Sequence, residues 1–197
     1  MGRKSHYISA EHLKLSDKQF LNALRCSGYA TKEQCLHYLS SNNRLKNYVL
    51  EKVLDKCSVV IDGKTQTVYR FSDGGKEWVR ENVSDLSDRN FYISTGVEHD
   101  IKLMDKIQEY TDRLSYEEQL KFRTESENRD LFKELCDKME QGQYYLDQLQ
   151  QHTISMPDFS YQTEFIEIIT SNYSGEAIAS HETAMEVFNG SISIINS

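Results

Sequence analysis

The sequence predicts an α+β protein built from two units. Helical periods followed by a β-hairpin signal fill the first half, whereas strand-like runs alternate with helical segments in the second half. The charge also changes sign between the halves, from basic to acidic. We therefore predict a first unit over residues 1–83, a linker over 84–97 and a second unit over 98–197.

The first unit begins with three short helical patterns. Ser16 is predicted to start the first helix. Thr31, with Gln34 three positions later, is typical of a capping box and predicts the start of the second. After the polar turn 40–43, apolar residues at helical spacing predict a third helix that ends near Lys56. Three short helices joined by tight turns are typical of a helix-turn-helix unit.

A hairpin and a closing helix follow these three helices. Residues 58–61 and 67–71 are rich in β-branched and aromatic side chains, and Asp62-Gly63 between them is a strong hairpin signal. Ser72 or Asp73 is predicted to cap the closing helix. The order helix, helix, helix, hairpin, helix is that of a winged helix-turn-helix domain.

The third helix is the candidate DNA-reading element, because the N-terminal residues of the recognition helix face the major groove in helix-turn-helix proteins. Asn forms bidentate contacts with adenine and Arg with guanine. The predicted DNA-contacting residues are Asn42, Asn43, Arg44, Lys46 and Asn47 on the helix and Lys64 and Arg70 on the hairpin, with Arg3-Lys4 as a basic arm. A solvated polar helix face, or a hairpin that contacts protein, is the alternative interpretation of these residues.

The second unit has a different order of predicted elements. A helix of about 14 residues is predicted to start near His99. Strands are predicted over 121–125, 154–161, 165–170 and 191–195, and helices over 129–150 and 174–188. Apart from the inserted helix over 129–150, the order is α-β-β-β-α-β. That order resembles the core of the PD-(D/E)xK restriction-endonuclease-like fold.

Two carboxylates carry this resemblance. In active members, an Asp and a Glu bind Mg²⁺ and a Lys two residues after the Glu orients or activates water. Asp158 and Glu167 match the carboxylates, whereas Ile169 occupies the position of the lysine. We therefore predict no catalytic residue and at most a vestigial metal site, with Glu125 or Asp100 as a third ligand. Alternatively, Asp158 begins a turn and Glu167 faces solvent.

Composition excludes several other classes of protein. The four cysteines form no C-x-x-C pair, which disfavours a zinc knuckle or a disulfide framework and favours a reducing cytoplasm. The apolar runs are too short to cross a membrane. His152, His181 and Glu182 show no ligand spacing and are interpreted as surface residues. No cofactor is predicted.

The chain also resembles the replication-relaxation family of Gram-positive plasmids and conjugative elements. The resembling stretches are Val68 to Lys76, Glu98-His99-Asp100-Ile101, and Pro157-Asp158 followed by 165–169. The resemblance implies an accessory protein of a mobile genetic element that binds double-stranded DNA in plasmid replication or in relaxation at a transfer origin. It also implies that the second unit is a degenerate nuclease-type domain used for protein contacts.

Three functions stay open at this point. The first is a non-enzymatic DNA-binding factor, which would be a homodimer on a palindromic site. The second is a protein inhibitor of a host defence nuclease, similar to an anti-CRISPR factor, because residues 91–197 contain 8 Lys+Arg against 20 Asp+Glu and could imitate the charge of nucleic acid. The third is a metal-dependent nuclease that uses Asp158 and Glu167.

Overall fold

A computed structural model of the chain describes residues 8, 10–61, 63–169 and 175–196. The described residues form α-helices and two β-sheets, which confirms the predicted α+β class. The chain divides into two compact units, Met1–Leu120 and Lys121–Ser197. None of the helices in the described ranges has the length and hydropathy that crossing a bilayer requires.

The first unit combines helices with a three-stranded sheet. Its α-helices and strands are α1 (Leu15–Ser27), β1 (Tyr29–Thr31), α2 (Lys32–Tyr38), α3 (Asn42–Leu50), β2 (Leu54–Ile61), β3 (Lys64–Phe71), α4 (Asp73–Asn82), α5 (Val97–Thr111) and α6 (Tyr116–Gln119). Short 3₁₀ turns cover Ala10–His12 and Ser84–Leu86. The sheet is antiparallel, with β3 between β1 and β2.

Side-chain caps start two of these helices where the sequence predicts them. Thr31 Oγ1 accepts a hydrogen bond from the Gln34 backbone N–H, and Gln34 Oε1 accepts one from the Thr31 backbone N–H. Ser72 Oγ accepts from the Gly75 backbone N–H at 2.8 Å. Each cap satisfies a backbone donor that has no partner inside the helix, which confirms both predicted starts.

The third helix ends earlier than the sequence predicts, at Leu50 rather than near Lys56. Lys52 has a φ of 57°, in the left-handed region, and this residue breaks the helical path. Leu54 then begins β2, where it pairs with Phe71 of β3. Val53, which favours a longer helix in the sequence, is therefore buried just before the strand, and Leu54 is buried as its first residue.

The predicted hairpin has a two-residue loop. Ile61 and Lys64 are direct partners at the ends of β2 and β3. Gly63 has a φ of 71°, which suits the primed turns that join two twisted strands. Asp62, the other predicted turn residue, lies outside the described residues.

Helix α5 belongs to the first unit, so the structure divides after Leu120 rather than within the predicted linker over 84–97. The helix packs against α1 and β1. Gln34 Nε2 donates to the Ile101 carbonyl at 2.9 Å and to Asp105 Oδ1 at 2.6 Å, which ties α2 to α5. The helix predicted to open the second unit thus completes the core of the first.

The stretch predicted as a linker is held against α1. The Tyr92 backbone N–H donates to the Arg25 carbonyl at 2.8 Å, and Arg25 Nη1 donates to the Asn90 carbonyl at 2.7 Å. Phe91 and Tyr92 are buried. Gly28 ends α1 with a φ of 87°, and a Cβ there would lie 2.5 Å from Asp100 Oδ2. Only glycine therefore permits this approach of α5.

The two units differ in charge once this boundary is used. Residues 1–120 contain 18 Lys+Arg and 18 Asp+Glu, so the first unit is neutral. Residues 121–197 contain 5 Lys+Arg and 13 Asp+Glu, which gives the second unit the whole net charge of -8. Any binding of an anion by the first unit must therefore depend on where its cations lie.

The second unit is built around a four-stranded sheet. Its elements are β4 (Arg123–Thr124), α7 (Glu125–Cys136), α8 (Gly142–Gln150), β5 (Phe159–Tyr161), β6 (Glu164–Ile169), α9 (Gly175–Phe188) and β7 (Ser191–Asn196). The strand order is β4-β5-β6-β7. Neighbours are antiparallel except β6 and β7, which are parallel and are joined through α9.

The single helix predicted over 129–150 is two helices, α7 and α8. Gly142 starts α8 against the Cys136 carbonyl, so close that a Cβ would collide with it. The break lets both helices contribute apolar residues to one core, in which Phe132, Phe165 and Phe188 pack together. Periodicity alone does not reveal such a break, because both helices keep an apolar face.

Candidate functional site

The first turn of α3 presents polar side chains to solvent. Ser41 caps the helix, since its Oγ accepts a hydrogen bond from the Arg44 backbone N–H at 3.2 Å. The opposite side of α3 is buried through Leu45 and Tyr48. Among the predicted DNA-contacting residues of this helix, Asn42, Asn43 and Lys46 are exposed and Asn47 is half-buried.

Arg44 forms an ion pair inside the first unit instead of facing solvent. Its Nε and Nη2 donate to the two carboxylate oxygens of Asp17 at 2.8 and 3.0 Å. The Tyr48 hydroxyl donates to the same carboxylate at 3.0 Å, and Asp17 is only 1% exposed. Asp17 thus occupies the Nε–Nη2 edge of the Arg44 guanidinium, whereas the sequence predicts that Arg44 contacts DNA.

The protonation of this cluster is stable near neutral pH. Burial alone would lower the pKa of Arg44, but hydrogen bonds and charge from Asp17 and Tyr48 raise it above its usual value. Burial, together with the negative charge of Asp17, raises the pKa of Tyr48. Both donors keep their protons, so the links between α3 and α1 persist across the physiological range.

The two faces of the hairpin carry different groups. Direct cross-strand partners share a face, so Lys56 and Tyr69 lie on one side while Asp55 and Arg70 lie on the other. Lys56 and Tyr69 face α3, as both line a cleft with it. Arg70 Nη1 donates to the Tyr29 hydroxyl at 3.2 Å on the opposite face. Arg70 therefore lies on the face of the sheet opposite α3, while the sequence predicts it among the DNA-contacting residues of the hairpin.

A cleft of about 550 Å³ separates α3 from the hairpin. Three lysines line it, Lys32 of α2, Lys46 of α3 and Lys56 of β2, and no carboxylate is among its lining residues. In the described part of the chain, none of these lysines forms an ion pair. Lys64 is also exposed, at the tip of the hairpin. The cleft is therefore locally cationic although the unit is neutral.

Lys32 and Lys56 are absent from the predicted set. Their positions in sequence, at the first residue of α2 and within β2, give no sign that they lie near α3. Burial alternates along β2, and Lys56 lies on the exposed face of this strand. The predicted basic arm, Arg3-Lys4, lies outside the described residues.

In the second unit, Asp158 and Glu167 lie next to each other. Phe159 of β5 pairs with Ile166 of β6, which sets the two carboxylates opposite each other. Glu167 Oε2 accepts from the Asp158 backbone N–H at 3.2 Å, and Asp158 Oδ2 accepts from the Ile168 backbone N–H at 3.0 Å. Both residues are buried, so the alternative of a solvent-facing Glu167 is wrong.

His181 joins this pair, although the sequence pattern suggested a surface residue. It lies on α9 and is 2% exposed, and its Nε2 is 3.2 Å from Glu167 Oε1. Ala184, Met185 and Phe188 follow it at spacings of three, four and seven. That spacing puts His181 on the buried stripe of the helix and is the signal that could have placed it there.

The other proposed metal ligands are not part of this cluster. Glu125 begins α7 and pairs with Arg129 at 2.7 Å, and Asp100 belongs to the first unit. Ile169, at the position of the missing lysine, is buried in β6. Over the described ranges, no group of three or more His, Cys, Asp or Glu residues is arranged to hold a metal ion. Backbone donors and His181 face oxygens of both central carboxylates.

Comparison of the chain with protein-family models, with curated protein sequences and with solved structures finds no match. The resemblance to the replication-relaxation family therefore stays a prediction from short motifs. The same holds for the resemblance of the second unit to restriction endonucleases.

Proposed function

We propose that the first unit is a winged-helix domain that binds double-stranded DNA through α3 and the β2–β3 hairpin. The order α1, β1, α2, α3, β2, β3 and the sheet order β1-β3-β2 support this assignment. The exposed polar start of α3 suits entry into the major groove. On a palindromic target, two copies of the chain would bind as a homodimer.

The lysine-lined cleft is the observation that carries this proposal. Phosphate contacts supply most of the affinity of proteins for DNA, and they come chiefly from Lys and Arg. Lys32, Lys46 and Lys56 surround a concave surface beside the candidate reading helix, without a competing carboxylate in its lining. A DNA strand that passes between α3 and the hairpin would place its phosphates against these ammonium groups.

A variant with Lys46→Ala and Lys56→Ala is expected to bind duplex DNA more weakly at every sequence. If each lysine meets one phosphate, the log–log salt slope falls by about 2, and affinity at 0.1 M salt falls roughly 10- to 100-fold. Fluorescence anisotropy with a labelled 20-base-pair duplex at several salt concentrations measures both quantities.

The matched control neutralises two lysines elsewhere. Lys133 and Lys138 are exposed residues of the second unit, so Lys133→Ala with Lys138→Ala changes the net charge equally. The control should keep the affinity and salt slope of the natural chain. Equal losses in both variants would show that total charge matters and that the cleft does not.

We further propose that the second unit is a degenerate restriction-endonuclease-like domain with an interaction role rather than a catalytic one. The strand order β4-β5-β6-β7, the parallel β6–β7 pair and the placement of Asp158 opposite Glu167 support the resemblance. The buried Ile169 and the internal hydrogen bonds of both carboxylates argue against hydrolysis. Together the two units would serve a mobile genetic element in plasmid replication or conjugation.

Plasmid DNA incubated with the chain and either Mg²⁺ or Mn²⁺ is expected to remain intact. The reason is that no cation stands where the nuclease mechanism requires one to activate water. Agarose gels after long incubation provide the measurement. Cleavage that disappears in the Asp158→Ala variant would overturn the non-catalytic assignment.

The charge of the second unit supports one other function, inhibition of a host defence nuclease. Its net charge of -8 could imitate a nucleic acid in the basic channel of such an enzyme. If the chain has this function, it inhibits DNA cleavage by the nuclease. The inhibition should weaken when Glu182 and Glu186 of α9 are replaced by glutamine. Undiminished cleavage in the presence of excess chain would remove it.

A further inference from the structure

We infer that α3 reads A·T base pairs in the major groove, through contacts of Asn42 and Asn43 with adenine. This inference rests on the proposed DNA-binding function and names the sequence class that the surface selects. It depends on which side chains of α3 form ion pairs or hydrogen bonds within the protein and which can contact DNA.

Arg44 does not contact bases, because its guanidinium is paired with the buried carboxylate of Asp17. Arginine is the side chain that most often reads guanine, and Arg44 is the only arginine of α3. Its guanidinium is bidentate to Asp17 and lies 5.5 Å from the centre of the Tyr48 ring. If Arg44 contacted guanine, the Asp17 carboxylate would stay buried without its charged partner. The free energy lost by breaking this buried ion pair exceeds the free energy gained from one base contact.

Asn42 and Asn43 are the available readers. Both are exposed in the first turn of α3, and neither side-chain amide forms a hydrogen bond with a described residue. An amide can donate to N7 of adenine and accept from its N6 amino group at the same time, a pattern that guanine does not offer. Asn42 lines the lysine-lined cleft, while Asn43 lies on the other flank of the helix beside Ser41.

The rest of the helix is consistent with this preference. Lys46 shares the cleft with Lys32 and Lys56, which assigns its ammonium group to the DNA backbone rather than to a guanine. Leu50, at the end of α3, is 76% exposed and borders the same cleft. An apolar side chain there can contact the methyl group of thymine, the partner of adenine in the same class of base pair.

Selection from a random-sequence duplex library tests the inference. We expect the natural chain to enrich A·T pairs, and replacement of a selected A·T pair by G·C to weaken binding about 10- to 100-fold. A variant with Asn42→Ala and Asn43→Ala should lose that discrimination, and bind the selected duplex and its G·C-substituted form with the same, weaker affinity. Replacing adenine by 7-deazaadenine, which lacks the N7 acceptor, should weaken binding by the natural chain but not by this variant.

The variant with Lys46→Ala and Lys56→Ala serves as the comparison. It should bind all duplexes more weakly while it retains the preference for A·T pairs. Duplex binding with enrichment of G·C pairs, or with no sequence preference, would overturn the adenine inference and leave the proposed DNA-binding function standing. Failure of the natural chain to bind any duplex would overturn both.

Discussion

Replacement of Asp17 by alanine is expected to lower the free energy of unfolding of the first unit by about 3–5 kcal/mol, the usual effect of removing one partner of a buried ion pair. The change would leave the Arg44 guanidinium, the Tyr48 hydroxyl and the Lys14 backbone N–H without their common acceptor. Trp78 is the single tryptophan of the chain and lies in α4 of the first unit, so its fluorescence in a urea titration reports this unfolding.

The control for this variant is Asp55→Ala. Asp55 also pairs with an arginine, but its contact with Arg70 is 3.6 Å long and both side chains are about half-exposed. Removal of such a surface pair should change stability by no more than about 1 kcal/mol. Similar losses in the two variants would contradict the assignment of Asp17 as the buried anchor of α3.

Replacement of Glu167 by alanine is expected to destabilise the second unit by about 1–3 kcal/mol, the usual cost of leaving a buried donor without its acceptor. The reason is that the Asp158 backbone N–H would lose its buried acceptor and His181 would lose its carboxylate neighbour. Hydrogen exchange of the backbone amides of β6 and β7 measures this effect without a tryptophan, because exchange protection falls with the local free energy of opening.

Glu182→Ala provides the comparison within the second unit. Glu182 follows His181 on α9 but is exposed, and a surface substitution of this kind usually changes stability by less than about 0.5 kcal/mol. Exchange protection in β6 and β7 should therefore be unchanged. If Glu167→Ala left protection equally intact, the buried cluster would not stabilise the sheet.

The features that sequence reasoning predicts correctly involve residues close together in the chain. The Thr31–Gln34 capping box and the Ser72 cap each join residues three positions apart. The hairpin between β2 and β3 depends on a two-residue loop. Such interactions are set by local backbone geometry, so residue type and spacing are sufficient to identify them.

The features that it misses depend on partners far along the chain. Arg44 has the residue type of a DNA reader, but its orientation is decided by Asp17, 27 positions earlier. The contact of His181 with Glu167 joins α9 to β6, which residue spacing within α9 does not reveal. The sequence predicts a boundary where the charge changes sign, whereas α5 packs against α1 and the structure divides after Leu120. Charge describes the surface and does not report which helices share a core.

The packing of α5 also limits how the first unit can be inherited or transferred. A gene fusion that cut the chain at residue 83 would remove α5 and uncover the apolar side of α1 that it protects. The recombinable module therefore extends to residue 120 and includes the Gln119 carbonyl, which accepts a hydrogen bond from Asn22 Nδ2. Evolutionary shuffling of the two units is expected to have its breakpoints between α6 and β4.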